Sequence, residues 1–151
     1  MKSDSRPIPR ASGFLVGRGE RPHLGFGWWD RMRSPQRPGL FFRTSHPRAA
    51  LRLWARPGQE ALNLLICAST TMIGGPARLE VLFEDVAGER SLGELEVPWE
   101  EWAVHSLPCR ISSEGPVTIT LKTHTVAVPH AVLNNGDHRE FGVHLAAAHL
   151  R

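Results

Sequence analysis

Beyond its first quarter, the chain alternates hydrophobic and polar residues in short segments, which is the pattern of half-buried β-strands. In one such segment, Leu51 and Leu53 would lie on one face of the strand, and Arg52 and Trp54 on the opposite face. The pattern predicts strands over residues 40–44, 49–55, 61–68, 79–84, 91–98, 102–107, 117–122, 126–128 and 141–148.

Turn signals separate these segments. Pro57-Gly58 ends one strand, and residues 86–89 have the composition of a hairpin connection. The segment Ala61–Ala68 is almost continuously apolar, which predicts a central strand buried on both faces. Strands recur at intervals of about ten residues, and no long helical pattern interrupts them. The sequence therefore predicts an all-β fold, an antiparallel β-sandwich of jelly-roll type with eight to ten strands.

The length of 151 residues suits one domain. We expect a flexible N-terminal arm over residues 1–11 and a single β-sandwich domain over residues 12–151. No apolar stretch approaches the ~20 residues of a membrane span, and the N-terminus lacks the apolar region of a secretion signal. Cys67 and Cys109 are expected to be buried free thiols, unless their strands are neighbours and a disulfide forms. These features predict a cytoplasmic protein without a membrane partner.

Charge is distributed unevenly along the chain. Residues 1–58 carry 12 Lys and Arg against 3 acidic residues, a net charge of +9, whereas residues 59–151 carry 6 against 12, a net charge of −6. The arginines are dispersed among Pro and Gly, so a nucleic-acid partner is not expected. The basic first third could instead dock an acidic protein partner or a second copy of the chain, through contacts that weaken as salt rises.

No catalytic arrangement stands out in the sequence. A Gly-x-Ser-x-Gly nucleophile motif is absent, and adjacent carboxylates would point to opposite faces of a strand. A cupin-like metal site would need a His-x-His pair, which the 8 histidines do not form. His124 with His130, and His138 with His144, could still meet across strands, so a histidine metalloenzyme stays an alternative. We expect no catalysis and no cofactor; Ca²⁺ could order the loops, but no motif supports it.

Aromatic residues offer a binding chemistry that suits carbohydrate. Sugars present flat apolar C–H faces that stack on exposed rings, and hydroxyl groups that bond to neighbouring polar side chains. If the face that carries Trp54 is bare, Trp54 would be such a platform; if loops or the N-terminal segment cover it, it is part of a secondary core. The candidate aromatic residues are Trp28, Trp29, Trp54, Trp99 and Trp102.

Two further alternatives concern polar and aromatic residues outside the regular strands. Trp28 and Trp29 could plug the core from the N-terminal third or form a binding surface. Asp137 and Arg139 follow the turn signal Asn135-Gly136 and would point the same way along an extended chain. Arg139 could be buried near a sheet edge and tie the last strand to the N-terminal segment, or both side chains could face a ligand.

Four short motifs carry a resemblance to a known family. They are Gly27-Trp28-Trp29-Asp30, Phe42-Arg43-Thr44, Leu51-Arg52-Leu53 and Asp137-His138-Arg139-Glu140-Phe141-Gly142-Val143. Across roughly residues 25–145, the chain resembles the β-sandwich domains attached to bacterial glycosyltransferases and related cell-surface-polysaccharide enzymes. The resemblance implies a jelly-roll, carbohydrate-binding-like and non-catalytic module, with the tryptophan pair close to Asp137 and Arg139.

The leading hypothesis from the sequence is therefore a non-catalytic module that binds a carbohydrate or polysaccharide. Its aromatic residues would stack on the sugar, and its charged residues would bond to hydroxyls or anionic substituents. The predicted ligand contacts are Trp54, Trp28, Trp29, Arg43, Arg52, Asp137 and Arg139. A protein-interaction module is the second hypothesis, and a histidine metalloenzyme is the third.

Overall fold

The computed structural model describes residues 6–68, 76–98, 101–124, 128, 131 and 133–151. Within these residues the chain forms ten strands and a short 3₁₀ helix, Arg21–His23, and Ala131 and Leu133 are also helical. The strands are β1 (Gly13–Leu15), β2 (Trp28–Arg33), β3 (Phe41–Ser45), β4 (Arg48–Ala55), β5 (Ala61–Ala68), β6 (Ala77–Asp85), β7 (Gly88–Val97), β8 (Ala103–Pro108), β9 (Gly115–Thr123) and β10 (Val143–Leu150). Residues 126 and 127 of the predicted strand 126–128, and Trp99, lie outside the described residues.

The strands form two antiparallel sheets. The larger sheet has the order β2-β3-β10-β5-β8, and the smaller sheet has the order β4-β9-β6-β7. β1 and β3 share one edge of β10, since Phe14 pairs with Ala148 while Arg43 pairs with Leu145. This arrangement confirms the predicted all-β antiparallel sandwich.

The main core fills the space between the two sheets. Leu51 and Leu53 of β4 are fully buried there, in the same cluster as Leu62 and Leu64 of β5, as the alternation predicts. Cys109 lies in this core as a free thiol, and burial raises its pKa. The other large side chains that are fully buried include Ile66, Leu79, Phe83, Ile119, Leu121, Leu145 and Leu150.

A second, smaller apolar cluster lies on the outer face of the larger sheet. Cys67 of β5 points away from the main core because its neighbours along the strand, Ile66 and Ala68, point into that core. Cys67 packs in this cluster with Phe42 and Trp102, and all three side chains are buried. β5 is therefore buried on both faces at this point, as predicted, and the cysteine is a free thiol.

β2 was not predicted as a strand, and the chain changes sheets just before it. Residues 24–27 first bond to β4 of the smaller sheet, through Gly25 N to Ala50 O at 2.9 Å. Trp28–Arg33 then pairs with β3 of the larger sheet. Gly27 lies between the two pairings with φ +90°, a conformation that favours glycine, and a Cβ there would collide with the carbonyl oxygen of Arg48. The crossing places the Trp28-Trp29 pair at the edge of the larger sheet.

The N-terminal segment lies on the outer face of the smaller sheet. The Arg10 guanidinium lies 4.8 Å from the centre of the Trp54 ring, and Ser12 Oγ donates to Trp54 O at 2.7 Å. The Arg52 guanidinium donates to the carbonyl oxygen of Arg6. The described part of residues 1–11, which sequence patterns predict to be a flexible arm, therefore contacts the two polar-face residues of β4.

Candidate functional site

An open groove of about 660 Å³ crosses the outer face of the larger sheet. Its volume falls in the range of roughly 300–1,000 Å³ that is usual for small-ligand sites. The floor comes from β3, β10, β5 and the residue before β8, and the rim comes from β2 and from the segment before β10. The side chains that line the groove include Trp28, Trp29, Asp30, Arg33, Phe42, Thr44, Cys67, Trp102, Arg139, Phe141 and His144.

Strand register assembles the floor of the groove. Thr44 pairs with His144, and His144 pairs with Cys67 on the next strand. Ile66 pairs with Ala103, which brings the preceding residue, Trp102, opposite Cys67. Since neighbouring strands are about 4.8 Å apart, this row of four side chains extends ~14 Å across the sheet. The row of side chains on the floor therefore runs perpendicular to the strand direction.

The floor combines buried rings with one polar pair. The ring of Phe42 lies 5.6 Å from that of Trp102 and 4.7 Å from the imidazole of His144. His144 Nδ1 and Thr44 Oγ1 form a 2.8 Å hydrogen bond. Burial lowers the pKa of His144 to about 4, so the imidazole is neutral at pH 7. Its other nitrogen, Nε2, has no hydrogen-bond partner among the described residues.

Trp29 forms an aromatic wall at one end of the groove. Its ring stacks on His46 at 4.2 Å and meets Phe141 edge-on at 6.1 Å. Its Nε1 donates to Glu140 O at 3.3 Å, and its own carbonyl accepts a 3.1 Å bond from Arg43. These contacts fix the ring before any ligand arrives, which lowers the ordering cost of binding.

Arg139 and Asp137 form a paired charge beside this wall. Arg139 Nε donates to Asp137 Oδ1 at 2.9 Å, and Nη2 donates to Oδ2 at 2.6 Å. The hydrogen bonds from Arg139 lower the pKa of Asp137 to about 2. The guanidinium lies 5.6 Å from the centre of the Trp29 ring, as expected from the family resemblance. The alternative in which Arg139 is buried is wrong, since its side chain is 53% exposed.

Trp28 and Arg43 are anchored in the protein. Trp28 lines the groove but also packs against the main core, and its Nε1 donates to Ala50 O at 2.8 Å. Arg43 Nε donates to Glu20 Oε2 at 2.9 Å, and the Glu20 side chain is only 2% exposed. Burial opposes ionisation of Glu20, but hydrogen bonds from Gly17 N and from Arg43 outweigh it and lower its pKa. Trp28 therefore fixes β2 against the smaller sheet, and Arg43 holds the backbone of Trp29 in place.

Trp54 and Arg52 lie on the other sheet, away from the groove. The alternative in which the N-terminal segment covers Trp54 is the one observed, and Arg52 is buried beneath the same segment. The structure therefore does not bring the predicted ligand residues together in one place. It groups Trp28, Trp29, Asp137 and Arg139 at the groove and separates them from Trp54 and Arg52.

Sequence reasoning missed the polar floor. Thr44 and His144 lie within the predicted strands 40–44 and 141–148, and no sugar contact was predicted at either residue. Only the pairing of β3 with β10 makes them neighbours, across 100 residues of sequence. Over the described ranges, no three His, Cys, Asp or Glu side chains are grouped so as to hold a metal ion. No described helix has the length and apolar character needed to cross a membrane.

Comparison with known proteins shows a likeness at the level of the fold. The sequence matches no protein-family model and no curated protein. The fold is similar to that of a family 35 carbohydrate-binding module from an environmental isolate, with a TM-score of 0.53, 10% identity, and coverage of 92% of this chain and 91% of the module. It is also similar to part of an exo-β-1,3-galactanase from Phanerochaete chrysosporium that was solved with β-1,3-galactotriose, with a TM-score of 0.53, 9% identity, and coverage of 95% of this chain and 29% of the enzyme.

Proposed function

We propose that this domain is a non-catalytic carbohydrate-binding module that holds a glycan in the groove on the outer face of the larger sheet. The observation that carries the proposal is the composition of the groove. Its apolar floor is built from Phe42 and Trp102, its wall is Trp29, and polar groups surround them. This arrangement suits a ligand that has apolar C–H faces and hydroxyl groups on the same molecule.

The fold supports the same proposal. The domain shares its β-sandwich with a carbohydrate-binding module, and the similar enzyme structure contains a bound galactan fragment. The groove is open to solvent and crosses several strands, so an extended chain could enter it from the side. Attachment to a glycosyltransferase or a polysaccharide enzyme, which the short motifs imply, would place such a module beside its polymer.

A glycan array followed by calorimetry tests the proposal. β-1,3-Galactotriose is the first probe, because the similar enzyme was solved with it. For each glycan that binds, we expect Trp29→Ala to weaken the affinity about tenfold, since loss of an aromatic contact costs about 1–1.5 kcal/mol. Trp54→Ala is the matched control, because Trp54 is also a half-buried tryptophan but lies under the N-terminal segment.

The two variants separate the two sheets as binding faces. Equal affinity of the wild type and Trp54→Ala, with loss in Trp29→Ala, supports the groove. If only Trp54→Ala lowers the affinity, the glycan binds on the smaller sheet, and Trp54 is the platform that the sequence predicts there if that face is bare. A domain that is folded by circular dichroism and binds no glycan on the array would contradict the proposal.

An acidic protein partner is the second candidate. The guanidinium groups of Arg31 and Arg33 lie 5.5 and 5.4 Å from the centre of the Phe41 ring, on the exposed strand β2 at the edge of the larger sheet. Such a cationic edge could dock an acidic surface, including that of a second copy. Light scattering at low and high salt tests it, because charge-driven association weakens as salt rises whereas sugar stacking does not.

A further inference from the structure

The polar floor of the groove carries no charge. His144 is held by Thr44 through Nδ1, and the ring of Phe42 from the apolar cluster lies 4.7 Å from it. A neutral imidazole has one donor and one acceptor nitrogen, and the Thr44 hydroxyl can serve either tautomer. Nε2 can therefore accept a bond from a ligand hydroxyl or donate one to it. A charged ligand group at this position would find no opposite charge on the floor.

The charges at the rim of the groove are balanced. The titratable and charged groups that line the groove with His144 are Asp30, Arg33, Cys67 and Arg139. The Arg139 charge is already taken up by both carboxylate oxygens of Asp137. The two remaining ionic groups, Asp30 and Arg33, have opposite signs. An anionic ligand would therefore gain no net attraction from the rim.

We propose that the groove selects neutral glycans over carboxylated ones, with His144 as the residue that determines this specificity by bonding to an uncharged sugar hydroxyl. This inference rests on the proposed function and adds the chemical class of its ligand. Of the two kinds of sugar group that were expected to bond to charged side chains, hydroxyls and anionic substituents, it favours the hydroxyls. A carboxylate placed against Phe42 and Trp102 would lose part of its hydration without a counter-charge in return, whereas a hydroxyl would keep a hydrogen bond.

The test compares matched ligands on the intact domain. The probes are the neutral oligosaccharides that bind on the array, each paired with its own form oxidised at C6 to the carboxylate. We expect the wild type to bind the neutral member about tenfold more tightly by calorimetry, because the groove offers no counter-charge for a carboxylate that loses part of its hydration. We expect His144→Phe, which keeps a ring but removes the bond, to lower affinity for the neutral member about five- to tenfold.

A charge variant provides a second and independent readout. Asp137→Asn releases the Arg139 guanidinium beside the groove, so we expect the carboxylated member to gain affinity about three- to tenfold relative to the neutral one. Asp85→Asn is the matched control. It breaks a similar pair, Arg90 with Asp85 at 3.5 Å, on the smaller sheet, and it changes the net charge equally. We expect that control to leave the ratio of the two affinities unchanged.

The outcomes separate this inference from the function on which it rests. A wild type that binds the carboxylated member as tightly as the neutral one overturns the selectivity but leaves carbohydrate binding intact. If His144→Phe does not fold, the test rests on Asp137→Asn. An unchanged ratio of the affinities for the carboxylated and the neutral member in that variant overturns the inference. Failure of every neutral and carboxylated probe to bind the folded wild type overturns the proposed function and the inference together.

Discussion

His144 should make the stability of the domain depend on pH above the range where carboxylates titrate. The burial that lowers its pKa to about 4 operates only in the folded state, whereas in the unfolded chain the pKa is near its usual value of 6.5. The unfolded state therefore binds more protons between these values, and stability falls as pH falls. For these two pKa values, the loss between pH 7 and pH 5 is about 2 kcal/mol.

Urea denaturation at pH 7 and pH 5 measures this loss in the wild type and in His144→Gln. Gln cannot take up a proton in this pH range. We therefore expect the free energy of unfolding to fall about 2 kcal/mol less in the variant than in the wild type when the pH is lowered from 7 to 5. The other histidines are common to both proteins, and the comparison therefore isolates position 144. Equal pH dependence in the two proteins would show that the imidazole is not held neutral in the folded state.

Two further predictions concern stability at pH 7, each measured by urea denaturation. Glu20→Gln removes the carboxylate that pairs with the Arg43 guanidinium, whose side chain is 13% exposed, and should lower the free energy of unfolding by about 3 kcal/mol. Asp85→Asn breaks the more exposed pair with Arg90 and should lower it by less than about 1 kcal/mol. Similar losses in the two variants would show that the burial of Glu20 does not strengthen its ion pair. Gly27→Ala should lower the free energy of unfolding by at least about 2 kcal/mol more than Gly39→Ala. Both glycines have positive φ, but of the two only Gly27 has backbone atoms where the Cβ would lie. Equal losses would mean that the backbone around Gly27 shifts to make room for the Cβ.

Alternation predicted the strands that form the walls of the main core. β4, β6 and β9 each have one face in the core. Their other face is turned toward solvent or, in β4, toward the N-terminal segment, so a side-chain period of two is visible in the sequence. β5 was predicted with its observed bounds, Ala61–Ala68, because burial on both faces leaves an apolar run between turn signals. Local patterning suffices where one strand carries its own burial signal.

The strands at the N-terminus could not be predicted in this way. β2 has the sequence Trp-Trp-Asp-Arg-Met-Arg, and its last four residues are exposed, so its pattern contains no alternation of burial. β1 has only three residues and is defined by its pairing with β10, more than 130 positions away in the sequence. The same reason hides the floor of the groove, because no local pattern relates Thr44, Cys67 and His144. Register across three strands brings them together.

The basic first third of the chain has a structural use that reduces its value as a charged surface. Guanidinium groups have several donors, and four of the eleven in residues 1–58 donate to backbone carbonyls. These four belong to Arg6, Arg43, Arg52 and Arg56. Three of the four hold the N-terminal segment in place, and it covers Trp54 on the smaller sheet. Because this segment covers the outer face of β4 while the larger sheet keeps an open groove, the asymmetry of charge along the chain supports the proposal that the groove is the binding face.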